Sequence, residues 1–367
     1  MFLGMSPVVW LLLGIVALIV VAVLIAQRVS QYGGARILFL APAAFVFSIF
    51  VVYPIVGSIW LSLHDVQADR LICSDGRSIK EAQGDSTCRR VPKMEFIGLD
   101  NYEKFFDKFP RDWRRTTKEV RELFDGDPDT KAKMPRASNE FKALVNNVIW
   151  LVLFQVAIPI GLALAVLLNQ NALFARILKP MYFFPFVISP AVIAFLFQFV
   201  YNPFEGGPLV GLYSLMGLKD KYGILGTDGI STFGVIFAAW YPQIAYCIII
   251  YLAGLTAINS ELIEAGKLDG ATGFSLFRKI IMPQLWPATF ICVVVTTIGA
   301  LRSFDLVQVM TGGQRWSEVL ARYMYEKGFG ESGGDYGFGA TVSVILFAIM
   351  LVFIVFFVSN MVRQNED

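Results

Sequence analysis

Two long apolar runs are separated by Glu264 to Pro283, a polar, glycine-bearing stretch whose residue types suit a docking element rather than a reaction centre. Asn259 or Ser260 can cap a helix there, and the carboxylates of Glu261 and Glu264 favour its positive end. Gly270, after Asp269, can supply the left-handed residue that stops it. A second helix can run from about Thr272, with Phe274, Phe277 and Ile281 on one face, until Pro283 breaks it. Helix, turn and helix are each too short to cross a bilayer, so the unit belongs at the membrane surface, where another protein can grip it. Other residue types that do chemistry are sparse. His64 stands alone, and the four cysteines are scattered, which gives no metal site. There is no G-x-x-x-x-G-K-[ST] sequence to cradle ATP phosphates. Gly328 to Gly333 spells G-x-G-x-x-G, but no strand precedes it and further glycines follow. The chain is therefore read as a non-enzyme that binds no cofactor of its own.

The elements that position this stretch follow from composition. With 56% hydrophobic residues, 16% charged and 32 Phe, and a mean hydropathy of +0.60, the chain reads as an all-α polytopic membrane protein. A net charge of +2, with the basic residues in loops among acids, implies no nucleic-acid partner. The apolar runs are Pro7 to Ala26, Ile37 to Leu63, Ala143 to Asn169, Pro180 to Tyr201, Ser231 to Ala257, Leu285 to Leu301 and Gly337 to Met361. Pro7 to Ala26 reads as a retained helix or as a signal peptide; it lacks a basic n-region and is long for an h-region. Short linkers carrying Arg28 and Arg36, Arg176 and Lys179, and Lys267, Arg278 and Lys279 belong in the cytoplasm, as does Arg363. The scheme closes with about seven crossings, the N-terminus outside and the C-terminus inside.

Residues 64–141 then fall outside the cytoplasm. Cys73 and Cys88 lie in this segment, and a bridge between them would close a loop of about fifteen residues and contribute roughly 3 kcal/mol in an oxidising compartment. Two free thiols are the other reading. The expected division is 1–63 for two N-terminal helices, 64–141 for an extracytoplasmic loop or small domain, and 142–367 for a core that includes the 257–284 loop.

The order Glu264, Ala265, Gly270, Ile280 and Pro283 resembles the EAA loop of binding-protein-dependent ABC importer permeases, with Gly266 in place of the second Ala and Met282 in place of Leu. The resemblance to that family, in its carbohydrate-uptake (maltose and α-glucoside) branch, implies a type I permease core with one extra N-terminal helix. It makes Glu264, Ala265, Gly266, Asp269, Gly270, Ile280 and Pro283 the coupling element that docks on a separate ATPase. It implies as partners a second permease subunit, two ATP-binding cassette subunits carrying ATP and Mg²⁺, an extracytoplasmic solute-binding protein and a sugar, in the bacterial inner membrane. The stretches Phe96 to Phe106, Asp305 to Gly313 and Tyr323 to Phe329 also look like segments of sugar permeases. Laying the family motif on this chain puts the sugar-contacting positions at Tyr246, Thr296, Gly299, Ala300 and Ser303. Gly299 and Ala300 replace an aromatic residue and an amide there.

The residues themselves agree with a neutral solute, because the spans hold essentially no ionisable group of the kind a proton- or ion-driven carrier needs. Trp240, Tyr241, Gln243, Tyr246, Thr296, Thr297 and Ser303 offer aromatic faces and uncharged hydrogen-bonding groups to a hydroxyl-rich ligand. Helix packing against a partner is the other use of such residues. Arg302 and Asp305, at the outer end of the sixth run, read as a boundary ion pair or as a gate or substrate contact. The expected function is the permease subunit of an ATP-driven sugar importer. The alternatives are a permease for another neutral polar solute, or an ATP-independent carrier or channel.

Overall fold

The structure, a computed structural model, describes residues 42–73, 88–125, 137–170, 184–185, 187–202, 208–209, 223–330 and 334–364. The first apolar run, Pro7 to Ala26, lies outside the described residues. Among those described, five stretches are long and apolar enough to cross a bilayer: Pro42–Ser62, Asn139–Asn169, Ile230–Ala257, Trp286–Met310 and Tyr336–Met361. Pro190–Val200 is a shorter apolar helix. The chain divides into two compact units, residues 1–101 with 335–344, and residues 102–334 with 345–367.

In the first unit, α1 (Pro42–Ser62) contains a wide turn at Ser48–Val52. Pro54 has no N–H to give Phe50, and the turn absorbs that mismatch by letting the Tyr53 N–H reach Ser48 O instead. The chain then folds into an antiparallel ribbon, β1 (His64–Cys73) and β2 (Cys88–Phe96). The register runs from His64 opposite Phe96 to Cys73 opposite Cys88, with an irregularity between Gln67 and Arg70. The ribbon is fixed to the end of α1: Leu63 O accepts from the N–H groups of Ile97 and Gly98, and Asn101 Nδ2 donates to Ser62 O and His64 O. Gly337 is required here, because a Cβ would lie 2.1 Å from His64 O. Thr341, one turn on, donates its hydroxyl to Gly337 O and to Ser62 O.

The second unit holds α2 (Asp100–Phe106), α3 (Phe109–Asp125), α4 (Asn139–Phe154), α5 (Ala157–Gln170), α6 (Pro190–Val200) and α7 (Ile230–Ala257). It continues with α8 (Ser260–Leu268), a second rod α9 described below, α10 (Trp286–Leu301), α11 (Asp305–Met310), α12 (Leu320–Phe329) and α13 (Tyr336–Gln364). The boundary between the units passes through α2 and α13. Two apolar clusters hold this unit together. One joins Trp150 and Phe154 of α4 to Val235, Ile236 and Ala239 of α7 and to Val307 and Met310 of α11. The other joins Ile158, Ala165 and Leu168 of α5 to Cys247, Ile248 and Tyr251 of α7 and to Leu285, Ala288 and Cys292. Cys247 and Cys292 are buried free thiols, acting as small apolar fillers. A Cβ on Gly161 would come within 2.4 Å of Cys247 Cβ, so α5 and α7 approach at the distance only glycine allows. Outside these clusters Phe195, Phe199, Phe233 and Phe237 stay exposed, as apolar residues turned to lipid do.

Candidate functional site

The polar interruption folds as two rods around a glycine. Asn259 is the cap of α8, its Oδ1 accepting from Glu261 N–H at 2.9 Å while Glu261 sits in the first turn. At the other end Gly270 has φ 82°, Gly270 N–H donates to Lys267 O at 3.1 Å, and Ala271 N–H donates to Gly266 O at 2.9 Å. This pair of bonds closes a Schellman turn, which satisfies the last carbonyls of α8 and reverses the chain in two residues. Thr272 is extended and starts α9, which runs as Gly273–Leu276, a wide turn Phe277–Ile281 and Met282–Gln284.

Pro283 does not break this second helix, contrary to the sequence expectation. The Met282 N–H reaches back to Phe277 O, and the extra residue in that turn makes room for a proline that has no N–H to give. The helix is interrupted instead at Leu285, a single turn residue whose N–H is shared between Ile281 O and Met282 O, before α10 starts with Pro287 in its first turn.

Gly266 is the buried residue of α8, and a Cβ there would stand 2.0 Å from Ile280 Cδ1 and 3.3 Å from Leu276 Cδ1. Ile280 therefore occupies the space that a side chain at 266 would take. Glu264, Ala265, Asp269, Gly270 and Pro283 are exposed, and so are Leu262, Leu268 at 89% and Phe274 at 73%. A surface unit that exposes four large apolar side chains, Met282 being the fourth, while its turn is held by backbone hydrogen bonds has the build of a docking element.

Above it α7 and α10 share a polar layer. Gln243 Nε2 donates to Thr296 Oγ1 at 2.8 Å, Gln155 Nε2 to Thr297 Oγ1 at 3.1 Å, and Trp240 Nε1 to Leu153 O at 3.1 Å. Thr296 is fully buried, and Tyr246, one turn beyond Gln243, is half-buried. Gln155 Oε1 is buried without a hydrogen-bond partner, an acceptor left open in the layer. The other family-derived positions are engaged in packing. A Cβ on Gly299 would meet Phe154 Cε1 at 3.2 Å, Ala300 lies in the core, and the Ser303 hydroxyl donates to Ala300 O at 2.8 Å. Arg302 and Asp305 are both exposed and form no ion pair with each other.

The sequence reading missed a third group, after α11. Arg315 and Trp316 have φ 56° and 67°, and holding two such residues left-handed costs of order 1–3 kcal/mol each. The loop is held by side chains of α4 and α7: Ser231 donates to Arg315 O, Thr232 to Trp316 O, and Asn146 to both Trp316 O and Glu318 O. Asn147 Oδ1 accepts from Leu320 N–H. Glu318 is buried, with Oε2 paired to Arg322 Nη1 at 2.6 Å and Oε1 unpartnered.

Burial pushes the Glu318 carboxyl up to about 7, against the pull of Arg322, the Val319 N–H helping to lower it and Glu326 adding to the rise. The folded chain thus holds this proton to a higher pH than the unfolded chain, whose carboxyl titrates near 4.5. The resulting stability is complete below pH 4.5 and is lost as pH rises through about 7, by roughly 3 kcal/mol. Amide exchange at Val319 and Leu320 is expected to quicken between pH 5 and 8 after correction for intrinsic rates, and Glu318→Gln to flatten that dependence. An unchanged profile in the variant would assign the titration elsewhere.

The family described as "Binding-protein-dependent transport system inner membrane component" matches residues 157–365, from α5 to the end of α13. Among similar proteins is the alpha-glucoside transport system permease protein AglF of Rhizobium meliloti (strain 1021), 28% identical over 89% of this chain and 82% of that protein. The probable ABC transporter permease protein YurN of Bacillus subtilis (strain 168) is 30% identical over 86% of this chain and 92% of its own. The trehalose/maltose transport system permease protein MalF of Thermococcus litoralis is 25% identical, with 86% and 90% covered. The fold is similar to that in the crystal structure of a bacterial ABC transporter involved in the import of the acidic polysaccharide alginate. That match has a TM-score of 0.65 and 19% identity, with 89% of this chain and 94% of that chain covered.

Proposed function

We propose that this chain, which belongs to the binding-protein-dependent transport system inner membrane components, is the transmembrane permease subunit of an ATP-driven sugar importer. It is a multi-pass inner-membrane protein. The observation that carries the reading is the α8–α9 unit, a capped helix, Schellman turn and second rod with Leu262, Leu268 and Phe274 exposed, set between two spans. Glu264, Ala265, Gly266, Asp269, Gly270, Ile280 and Pro283 form the unit that an ATPase subunit grips. Closure of the ATPase pair on ATP moves this unit, and the spans alternate between outward and inward access. ATP and Mg²⁺ stay on those subunits, and this chain binds no cofactor.

The solute is a disaccharide or an α-glucoside, a choice supported by the substrates in the names of two relatives and by the uncharged layer of Gln243, Thr296 and Thr297. Tyr246 and Thr296 contact it, with Gly299, Ala300 and Ser303 shaping the wall. A second permease subunit completes the pathway, and an extracytoplasmic binding protein delivers the sugar. The chain crosses about seven times, counting Pro7 to Ala26 as an additional N-terminal span. Its divisions are 1–63, 64–141 outside the cytoplasm, and the 142–367 core containing the 257–284 loop.

The reading is tested by co-expressing the chain with its ATPase, partner permease and binding protein. The ATPase is expected to co-purify, and sugar-loaded binding protein to raise ATP hydrolysis. Sugar uptake by the chain alone, with no ATPase retained, would make it a carrier.

The placement of residues 64–141 makes a separate prediction. Cys73 and Cys88 are opposed in the ribbon, and opposed antiparallel residues have Cα atoms about 4.5–5.5 Å apart, within the span a disulfide bridges. Their sulfur atoms lie outside the described side chains. Neither thiol is expected to react with a maleimide in intact cells until a reductant is added. Free labelling of both without reductant would remove the bridge.

A further inference from the structure

Beside the strained loop after α11 lies a cleft of about 400 Å³ whose lining includes Lys142, Arg315, Trp316, Tyr323 and Lys327. Its charges are unevenly compensated. Arg322 is paired with Glu326 at 3.1 Å and contacts Glu318 at 2.6 Å, and Arg315 faces Asp228 at 3.6 Å. Lys142 and Lys327 have no carboxylate partner among the described residues. Their ammonium groups rest instead over aromatic rings that also line the cleft, Lys142 5.4 Å from Trp316 and Lys327 5.5 Å from Tyr323. An ammonium over a ring keeps its full charge while its stem and position are held, so the cleft presents two fixed, unspent positive charges.

The backbone holds this arrangement in advance of any partner. Asn146, Ser231 and Thr232 fix the carbonyls of Arg315 and Trp316, which keeps both residues in a left-handed conformation and the Trp316 ring in place beneath Lys142. Strain that is maintained by so many bonds from neighbouring helices marks a surface built to present particular side chains.

Resting on the importer reading above, we propose that this cleft is the docking point for a carboxylate-bearing side chain of the extracytoplasmic solute-binding protein, received between Lys142 and Lys327. The charge selects an anionic occupant. Its source is a protein surface because a small anion facing two partly solvated lysines is held weakly against screening, whereas a protein rim around the same contact excludes water. The cleft lies on the segment between the sixth and seventh apolar runs, which the order of crossings puts outside the cytoplasm, and that segment continues α10 and α11, the spanning element that bears Thr296.

The test uses the assembled complex in nanodiscs and reads the binding-protein concentration that half-saturates ATPase stimulation. In 50 mM salt the combined Lys142→Glu and Lys327→Glu substitutions are expected to raise that concentration roughly tenfold or more, with basal hydrolysis unchanged, because like charges now meet. Wild-type half-saturation is expected to rise with salt, and that of the variant to stay level or fall. The milder pair, Lys142→Gln with Lys327→Gln, keeps size and is expected to give a shift of about threefold if the contact is electrostatic. Equal half-saturation in wild type and both variants overturns the docking assignment while leaving the importer reading in place. So does a shift in the response to a free anion such as acetate with none in the response to binding protein. A wild-type complex that no binding protein stimulates overturns the importer reading and this proposal with it.

Discussion

Gly270→Pro is expected to abolish solute uptake while the chain still reaches the membrane in normal amount. Proline fixes φ near −65°, whereas Gly270 stands at 82° and donates its N–H to Lys267 O. The substitution removes that bond, forbids the turn, and with it the bond from Ala271 N–H to Gly266 O that closes α8. Local strain and lost bonds of this kind amount to about 3 kcal/mol, which is roughly a hundredfold in any equilibrium that needs the turn. Gly270→Ala separates conformation from chemistry. Alanine can occupy the left-handed region at about 1–2 kcal/mol, so that variant is expected to retain on the order of a tenth of the uptake. Glu264→Lys tests the exposed face instead: Glu264 lies past the first turn of α8, which holds only Glu261, so the change reverses an exposed charge without disturbing the cap. ATPase retention on the purified complex and radiolabelled sugar uptake are measured together. Normal uptake by Gly270→Pro would end the docking role of this loop.

In the polar layer, Thr296→Val and Tyr246→Ala are each expected to lower sugar transport while basal ATP hydrolysis persists. The Thr296 hydroxyl accepts from Gln243 Nε2, and valine would leave that amide unpaired in a buried layer. An orphaned group of this sort costs about 1–3 kcal/mol, or roughly five- to a hundredfold in affinity or rate. Tyr246→Ala removes a half-buried aromatic face on the same side of α7. Because neither change touches the α8–α9 unit, a fall in transport with hydrolysis intact assigns the residues to the solute path. Normal transport in both would move the sugar site to the partner permease. Loss of assembled complex would assign them to packing.

What could be read from the sequence was local. Asn259 and Gly270 announce a cap and a left-handed turn by residue type alone, and both occupy those conformations. Pro283 is also a strong local signal, yet it misleads, because a wide turn one residue longer than the α-helical one accommodates the missing N–H and carries the rod past it. Gly266 stands out in the motif only as a departure from alanine. Its reason lies fourteen residues on, in Ile280, and a close approach of that kind has no periodic signature. The ribbon at His64–Cys73 and Cys88–Phe96 was hidden because the charged residues along both strands break the alternation that marks a strand. Glu318 shows the same limit at its sharpest. A single Glu in a loop carries no sign of burial until Arg322, Glu326 and the straps from Asn146 and Asn147 are in place around it.

The contact at Gly161 fixes how many moving parts lie above the loop. A helix pair separated by ordinary side chains can slip by a rotamer change, but α5 meets α7 where one more carbon would stand 2.4 Å from Cys247 Cβ, leaving no rotamer to exchange. The two therefore travel as one lever. Only Ile258 and Asn259 separate the end of α7 from α8, so a tug on the surface unit has almost no slack to take up before the whole lever turns.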